Sequence, residues 1–83
     1  MKYPMYIVYV LQDSNGRFYK GFTSNLPRRL VEHQSGKTRT TARMENLKVV
    51  WQEQYPTVAE ARKREKYFKS AAGRKYLQKH LGG

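Results

Sequence analysis

The run Met5-Tyr6-Ile7-Val8-Tyr9-Val10-Leu11-Gln12-Asp13-Ser14-Asn15-Gly16-Arg17-Phe18-Tyr19-Lys20-Gly21-Phe22-Thr23 decides the fold, because it reads as two strands joined by a turn. Met5 to Gln12 is rich in β-branched and aromatic residues, which suit a pleated, packed surface. It is apolar at both parities, so both faces should be covered, as in a central strand. Asp13-Ser14-Asn15-Gly16 is a turn signal, and Arg17 to Thr23 is the returning strand. Two registers compete. A two-residue Asn15-Gly16 turn pairs Tyr9 with Phe22 and sends Tyr9 and Tyr19 to opposite faces. A three-residue loop with Gly16 left-handed pairs Asp13 with Arg17, Tyr9 with Gly21 and Leu11 with Tyr19. The second register puts both tyrosines on one face and gathers Val8, Val10, Phe18 and Phe22 on the other, so it is preferred.

Beyond the hairpin, Ser24-Asn25 supplies an N-cap, Pro27 suits a first helical turn and Gly36 suits a C-cap, which predicts a helix over 26–35. Lys37 to Asn46 is a Thr-rich basic loop. Leu47 to Tyr55 alternates, with Leu47, Val49, Trp51 and Tyr55 expected on one side of a half-buried strand. Thr57-Val58-Ala59-Glu60 is a capping box that opens a second helix to about Ser70. Gly73 is expected to interrupt, with a short last helix over 74–81. The order ββαβαα implies an α/β domain of the α+β kind: a small three-stranded antiparallel sheet flanked by helices. One domain accounts for residues 1–83.

Charge is the strongest compositional signal. Seventeen Lys and Arg face six Asp and Glu, a formal charge of +11, with a pI near 10.2 and a mean hydropathy of −0.90. Such an excess repels itself in the folded state, and a polyanion relieves it. Nucleic acid is the expected partner, through phosphate contacts and counterion release. A membrane is not, because the basic residues are spread along the chain and no stretch approaches the roughly 20 apolar residues of a span. The N-terminal stretch 1–5 lacks a small-residue cleavage site, so no leader is expected. The chain has no cysteine, which excludes disulfides, thiolate zinc sites and a Cys nucleophile, and suits a cytoplasmic address.

Four elements carry the residues with chemistry to offer. Tyr9 and Tyr19 share a face in the preferred register, and Gly21 beside Tyr9 would leave an uncrowded spot for a phosphate. Arg29 and His33, spaced i,i+4, are neighbours on the first helix; arginine suits phosphate oxygens and histidine exchanges protons near neutral pH. Glu65 falls on the apolar stripe of the second helix with Val58, Ala61 and Phe68. A carboxylate there needs a cation: Arg29 or Arg62 as an ion-pair partner, or a bound metal. One carboxylate with waters and substrate phosphate can make a Mg²⁺ or Mn²⁺ shell, and no second acid suggests a two-metal site. Lys20, Lys37, Arg39 and Arg43, with the Gly21 backbone, are candidate nucleic-acid contacts.

Taken in order, the segments Tyr6 to Leu11, Gly16 to Leu26, Arg28 to His33 and Ala61 to Lys66 resemble the GIY-YIG nuclease superfamily, in particular its small stand-alone YhbQ-like or UPF0213 branch. Ile7 stands where the name-giving pattern has its first Gly, and Lys20 where the second motif has Ile. The resemblance implies metal-dependent endonucleolytic cleavage of phosphodiester bonds, with DNA favoured over RNA, no nucleotide cofactor, and DNA repair or processing as the setting. It makes Tyr9 and Tyr19 the paired tyrosines, Arg29 the phosphate-stabilising arginine, His33 the histidine of some members and Glu65 the metal ligand. A phenol or a metal-bound hydroxide would take the proton of the attacking water. The alternative is a nucleic-acid-binding module of the same fold without catalysis.

Overall fold

The hairpin takes the three-residue loop. Strand β1 (Tyr6–Gln12) and strand β2 (Phe18–Thr23) pair antiparallel with Tyr9 opposite Gly21 and Leu11 opposite Tyr19. Asp13 fixes this choice. Its carboxylate accepts the backbone N–H of Asn15 at 3.0 Å and of Arg17 at 2.7 Å, and pairs with the Arg17 guanidinium at 2.8 Å. Gly16 then turns the chain with φ +83°, a left-handed conformation that costs glycine little. The computed structural model describes residues 5–36, 41 and 43–81.

The remaining elements are α1 (Leu26–Gln34), β3 (Lys48–Tyr55), α2 (Val58–Lys69) and α3 (Ala71–Leu81). The sheet order is β2-β1-β3, so β1 is central, as its two apolar faces require. One face carries Val8, Val10, Phe18 and Phe22 and packs on Ala61, Phe68 and Leu77 of α2 and α3. The other carries Tyr9, Leu11 and Tyr19 and packs on Leu26 and Leu30 of α1. Each face has its own core.

Strand β3 departs from the single-face alternation expected for it. Val10 pairs with Trp51 while Leu11 pairs with Val49, so a bulge at Val50 adds one residue and inverts the facing of everything before it. Leu47 and Val49 therefore join the tyrosine face, and Trp51 and Tyr55 join the α2–α3 face.

Both helix starts follow their caps. The Asn25 side chain accepts the Arg28 N–H, and the Thr57 hydroxyl accepts the Glu60 N–H. Two expectations for the C-terminal helices fail. Val58 is exposed, so the buried stripe of α2 begins at Ala61. Gly73 does not interrupt: it sits inside α3, where an added Cβ would overlap the Tyr67 carbonyl oxygen and stand 2.6 Å from the Phe68 Cα. The glycine lets α3 fold back tightly on the end of α2.

Candidate active site

The register of the hairpin brings the two tyrosine rings together, with centroids 6.2 Å apart. Gly21, between them in the ladder, is buried, and its missing side chain is what admits them. A Cβ there would lie 2.9 Å from the Tyr9 hydroxyl and 3.1 Å from the Tyr19 ring. The open spot expected beside Tyr9 is thus filled by the phenols themselves, which lean across the glycine.

Helix α1 adds His33 beneath both rings, 4.7 Å from Tyr19 and 5.8 Å from Tyr9, edge-on in each case. The Tyr9 hydroxyl lies 2.8 Å from His33 Nε2, and His33 Nδ1 lies 2.9 Å from the Thr41 hydroxyl. Tyr9, His33 and Thr41 are all 1% exposed. Burial pushes the Tyr9 phenol up to about 12, although the Arg29 guanidinium opposes it. Tyr9 therefore keeps its proton and shares a hydrogen bond with Nε2. The neutral imidazole carries one proton, so it donates through one nitrogen and accepts through the other, with Tyr9 and Thr41 as the two partners. Burial, helped by the positive charge of Arg29, holds His33 below its ordinary value, so the ring is neutral near pH 7. His33 and Tyr9 form a closed, uncharged relay. His33, expected to exchange protons near neutral pH, is buried with both ring nitrogens hydrogen-bonded.

Arg29 is the charged, half-buried member of the cluster. Its Nη1 donates to Glu32 at 3.0 Å, and the guanidinium also lies near both phenol oxygens, interactions that hold it firmly protonated. A depression of about 200 Å³, lined by Thr23, Ser24, Asn25, Arg28, Arg29 and Glu32, opens beside it at the start of α1. Two arginines on the helix start make this a favourable place for an anion, against the one carboxylate of Glu32.

The other candidate residues are placed differently. Lys20 points to the α2–α3 face, away from the tyrosines, because strand residues alternate. Burial, then the charges of Arg74 and Lys69, lower its pKa. Lys37 and Arg39 lie outside the described residues. Arg43 is exposed, and its carbonyl accepts from Arg17 at 3.3 Å.

Glu65 is half-buried on α2, and its ion-pair partner is Lys69 of the same helix at 3.8 Å, not Arg29 or Arg62. Among the described residues, no hydrogen bond or ion pair joins it to the tyrosine cluster. Its flank is nonetheless the one toward β2. Lys69 lies four residues on, hence on the same side of the helix, and its charge is felt by Lys20 of β2. The described residues hold no group of three or more His, Cys, Asp or Glu able to bind a metal. One carboxylate fits only a hard cation that keeps its waters and takes further oxygens from a substrate.

Sequence reasoning missed Thr41 and Glu32. Nothing in the Lys37-Thr38-Arg39-Thr40-Thr41 run distinguishes the one threonine that caps the relay. Glu32 had a signal: it lies three residues after Arg29 and four after Arg28, the spacing of helical ion pairs.

Residues 5–79 match the GIY-YIG catalytic domain. A UPF0213 protein of Lactiplantibacillus plantarum is 37% identical over 81 residues, covering 90% of this chain and 80% of that protein. Another, from Streptococcus agalactiae serotype V, is 35% identical over 85 aligned positions, covering 96% of this chain and 94% of the relative. The solution NMR structure of a UPF0213 protein from Bacillus halodurans superposes with a TM-score of 0.58 at 29% identity, covering 95% of this chain and 87% of that one. No helix among the described residues is long and apolar enough to cross a membrane.

Proposed function

This chain belongs to the GIY-YIG catalytic-domain family, in its UPF0213 branch, and from that premise we propose that it hydrolyses phosphodiester bonds in nucleic acid, DNA in preference to RNA, with the help of one Mg²⁺ or Mn²⁺ ion. The observation that carries the reading is Arg29: a guanidinium held by Glu32, directed at two phenols, beside a phosphate-sized depression.

In this reading the scissile phosphate sits over Arg29, which stabilises the negative charge that grows on its non-bridging oxygens. Water attacks phosphorus and loses a proton to solvent as the new P–O bond forms; the bond to the leaving oxygen breaks on the opposite side, and that oxygen takes a proton from solvent. Tyr19, half-buried on the edge strand β2, orients that water by a hydrogen bond. Tyr9 is no base, since it is buried and its pKa is raised to about 12. Its work is to fix the ring pair against Arg29. Glu65 supplies the one carboxylate for the cation, which when bound neutralises charge at the leaving oxygen.

Supercoiled plasmid is the test substrate. Nicking should require Mg²⁺ or Mn²⁺, stop with EDTA, and fall roughly 100-fold or more in Glu65→Gln. Binding that persists in EDTA with the plasmid left intact under all metals would make the chain a binding module instead, and equal nicking by Glu65→Gln would remove the metal role assigned to that carboxylate.

A further inference from the structure

The outer side of α2 carries a feature that the cleavage centre does not use. A cavity of about 320 Å³ opens between the end of β3 and α2, lined by Tyr55, Glu60, Lys63, Arg64 and Tyr67. Lys63 also lines a second, wider groove with Val58, Ala59, Arg62 and Lys66. Lys63 is the residue the two share. Arg62, Lys63 and Lys66 are exposed and, among the described residues, enter no ion pair. The walls of the first cavity are rigid. Arg64 is held by two hydrogen bonds to Glu53, at 2.8 and 3.1 Å, with its guanidinium 4.9 Å from the Tyr67 ring centroid, and the Tyr55 hydroxyl donates to Glu53 at 2.6 Å.

Two fixed aromatic rings beside a nucleobase-sized opening, followed by unpaired cations, match one ligand chemistry. A base stacks or inserts against tyrosine while its phosphates meet lysine and arginine. A duplex presents its bases stacked and paired, so only an unpaired strand can offer one to this cavity. The groove also has a direction. Around the helix the order is Tyr67 and Arg64 on the β3 flank, Lys63 and Lys66 outermost, then Arg62 and Glu65 on the β2 flank. We infer that the α2 groove is a binding site for single-stranded nucleic acid, which takes one base between Tyr55 and Tyr67 and leads the backbone over Lys63 and Lys66 toward Glu65. This rests on the cleavage reading only for its destination, and the groove can be tested without it.

Binding of a fluorescently labelled single-stranded deoxyoligonucleotide, followed by anisotropy in EDTA, removes catalysis from the measurement. The double variant Lys63→Glu/Lys66→Glu should weaken binding roughly tenfold or more and lower the slope of log Kd against log salt by about 1.4, two phosphate contacts at about 0.7 each. A charge-matched control on exposed positions elsewhere, Lys48→Glu/Lys75→Glu, should change affinity by less than about threefold. Melting curves check that both variants fold. Iodouracil placed along the strand should photo-crosslink to Tyr55 or Tyr67. Equal loss in both double variants, or crosslinks confined to Tyr9 and Tyr19, would overturn the inference. Crosslinking at Tyr55 or Tyr67 in a protein that cleaves neither plasmid nor a single-stranded oligonucleotide in Mg²⁺ or Mn²⁺ would leave the groove standing while the cleavage reading fell.

Discussion

The two faces of the sheet handle polar groups in opposite ways. On the tyrosine face, Tyr9, His33 and Thr41 are buried without charge, each hydrogen-bonding the next, and the cation Arg29 sits at the rim. On the α2–α3 face a charged pair is half-buried. The Glu53 carboxylate accepts from Trp51 at 2.9 Å, Tyr55 at 2.6 Å and Arg64 at 2.8 and 3.1 Å. The Arg64 guanidinium also packs over Tyr67, Phe68 and Tyr76 at 4.9, 4.5 and 5.1 Å. The difference separates an arginine whose donors are filled from one with donors to spare. Arg64 has its fork filled by carboxylate and its faces covered by rings. Arg29 gives one nitrogen to Glu32 and turns the rest toward the site.

Exchanging the fates of these two arginines is the sharpest way to break that comparison. Arg29→Ala should cut Mg²⁺-dependent nicking by roughly 100- to 1,000-fold, the range for losing one charge-stabilising donor, and leave the melting temperature nearly unchanged. Arg64→Ala should do the reverse. Breaking a buried pair costs about 3–5 kcal/mol. The Arg64 and Glu53 side chains are 27% and 20% exposed, so solvent screening brings the cost to about 2 kcal/mol, a melting shift on the order of 10 °C. Wild-type nicking by Arg29→Ala, or an unmoved melt in Arg64→Ala, would erase the distinction.

How much of this was legible in the sequence follows from the same contrast. The tyrosine face was readable because its register is a local choice: a buried two-sided strand and a Gly16 turn leave one pairing that gathers both tyrosines and both phenylalanines. The Arg29–His33 spacing was likewise fixed by the helix period. The partition of β3 was not readable, because a bulge at Val50 depends on how β3 meets β1 forty residues away, and alternation alone cannot register the extra residue. The same holds for Gly73, whose local meaning is a break but whose tertiary meaning is a close crossing with Tyr67. Thr41 was invisible for want of any periodicity in its loop. The placement of Lys20 was within reach, since it alternates with Tyr19.

Acid should dissolve the two faces in sequence. Burial, with Arg29 adding to it, lowers the His33 pKa from 6.5, so the unfolded chain binds the proton more readily than the native one. Stability from this neutral ring is present above about pH 6.5 and lost as the pH falls below it. Burial alone would raise Glu53 above its ordinary 4.5, but the donors of Arg64, Tyr55 and Trp51 prevail and hold it lower. Its contribution is present above pH 4.5 and lost as the pH drops through its depressed native value. Urea midpoints measured from pH 7.5 to 3 should fall in two stages, with slopes of up to about 1.4 kcal/mol per pH unit per proton. His33→Gln should remove the upper stage alone. Asp13, also depressed, titrates in the lower one. On the alkaline side Tyr9, raised from 10.0 to about 12, stabilises below pH 10 and loses that contribution as the pH climbs toward 12.

The smallest effect tests whether the uncharged relay is a unit. Thr41→Val keeps the side-chain volume and removes only the hydroxyl 2.9 Å from His33 Nδ1. With Nδ1 left without its partner in a buried site, folding should lose about 1–2 kcal/mol. The bond between Tyr9 and Nε2 holds the other end of the ring, so the ¹⁵N shifts of His33 should stay those of the wild-type tautomer. Thr41→Ser, which restores the hydroxyl, should recover the melting temperature and whatever nicking the valine variant loses. If serine recovered nothing, the threonine would be acting through its methyl group as packing, and the tyrosine face would hold its aromatic pair by shape rather than by hydrogen bonds.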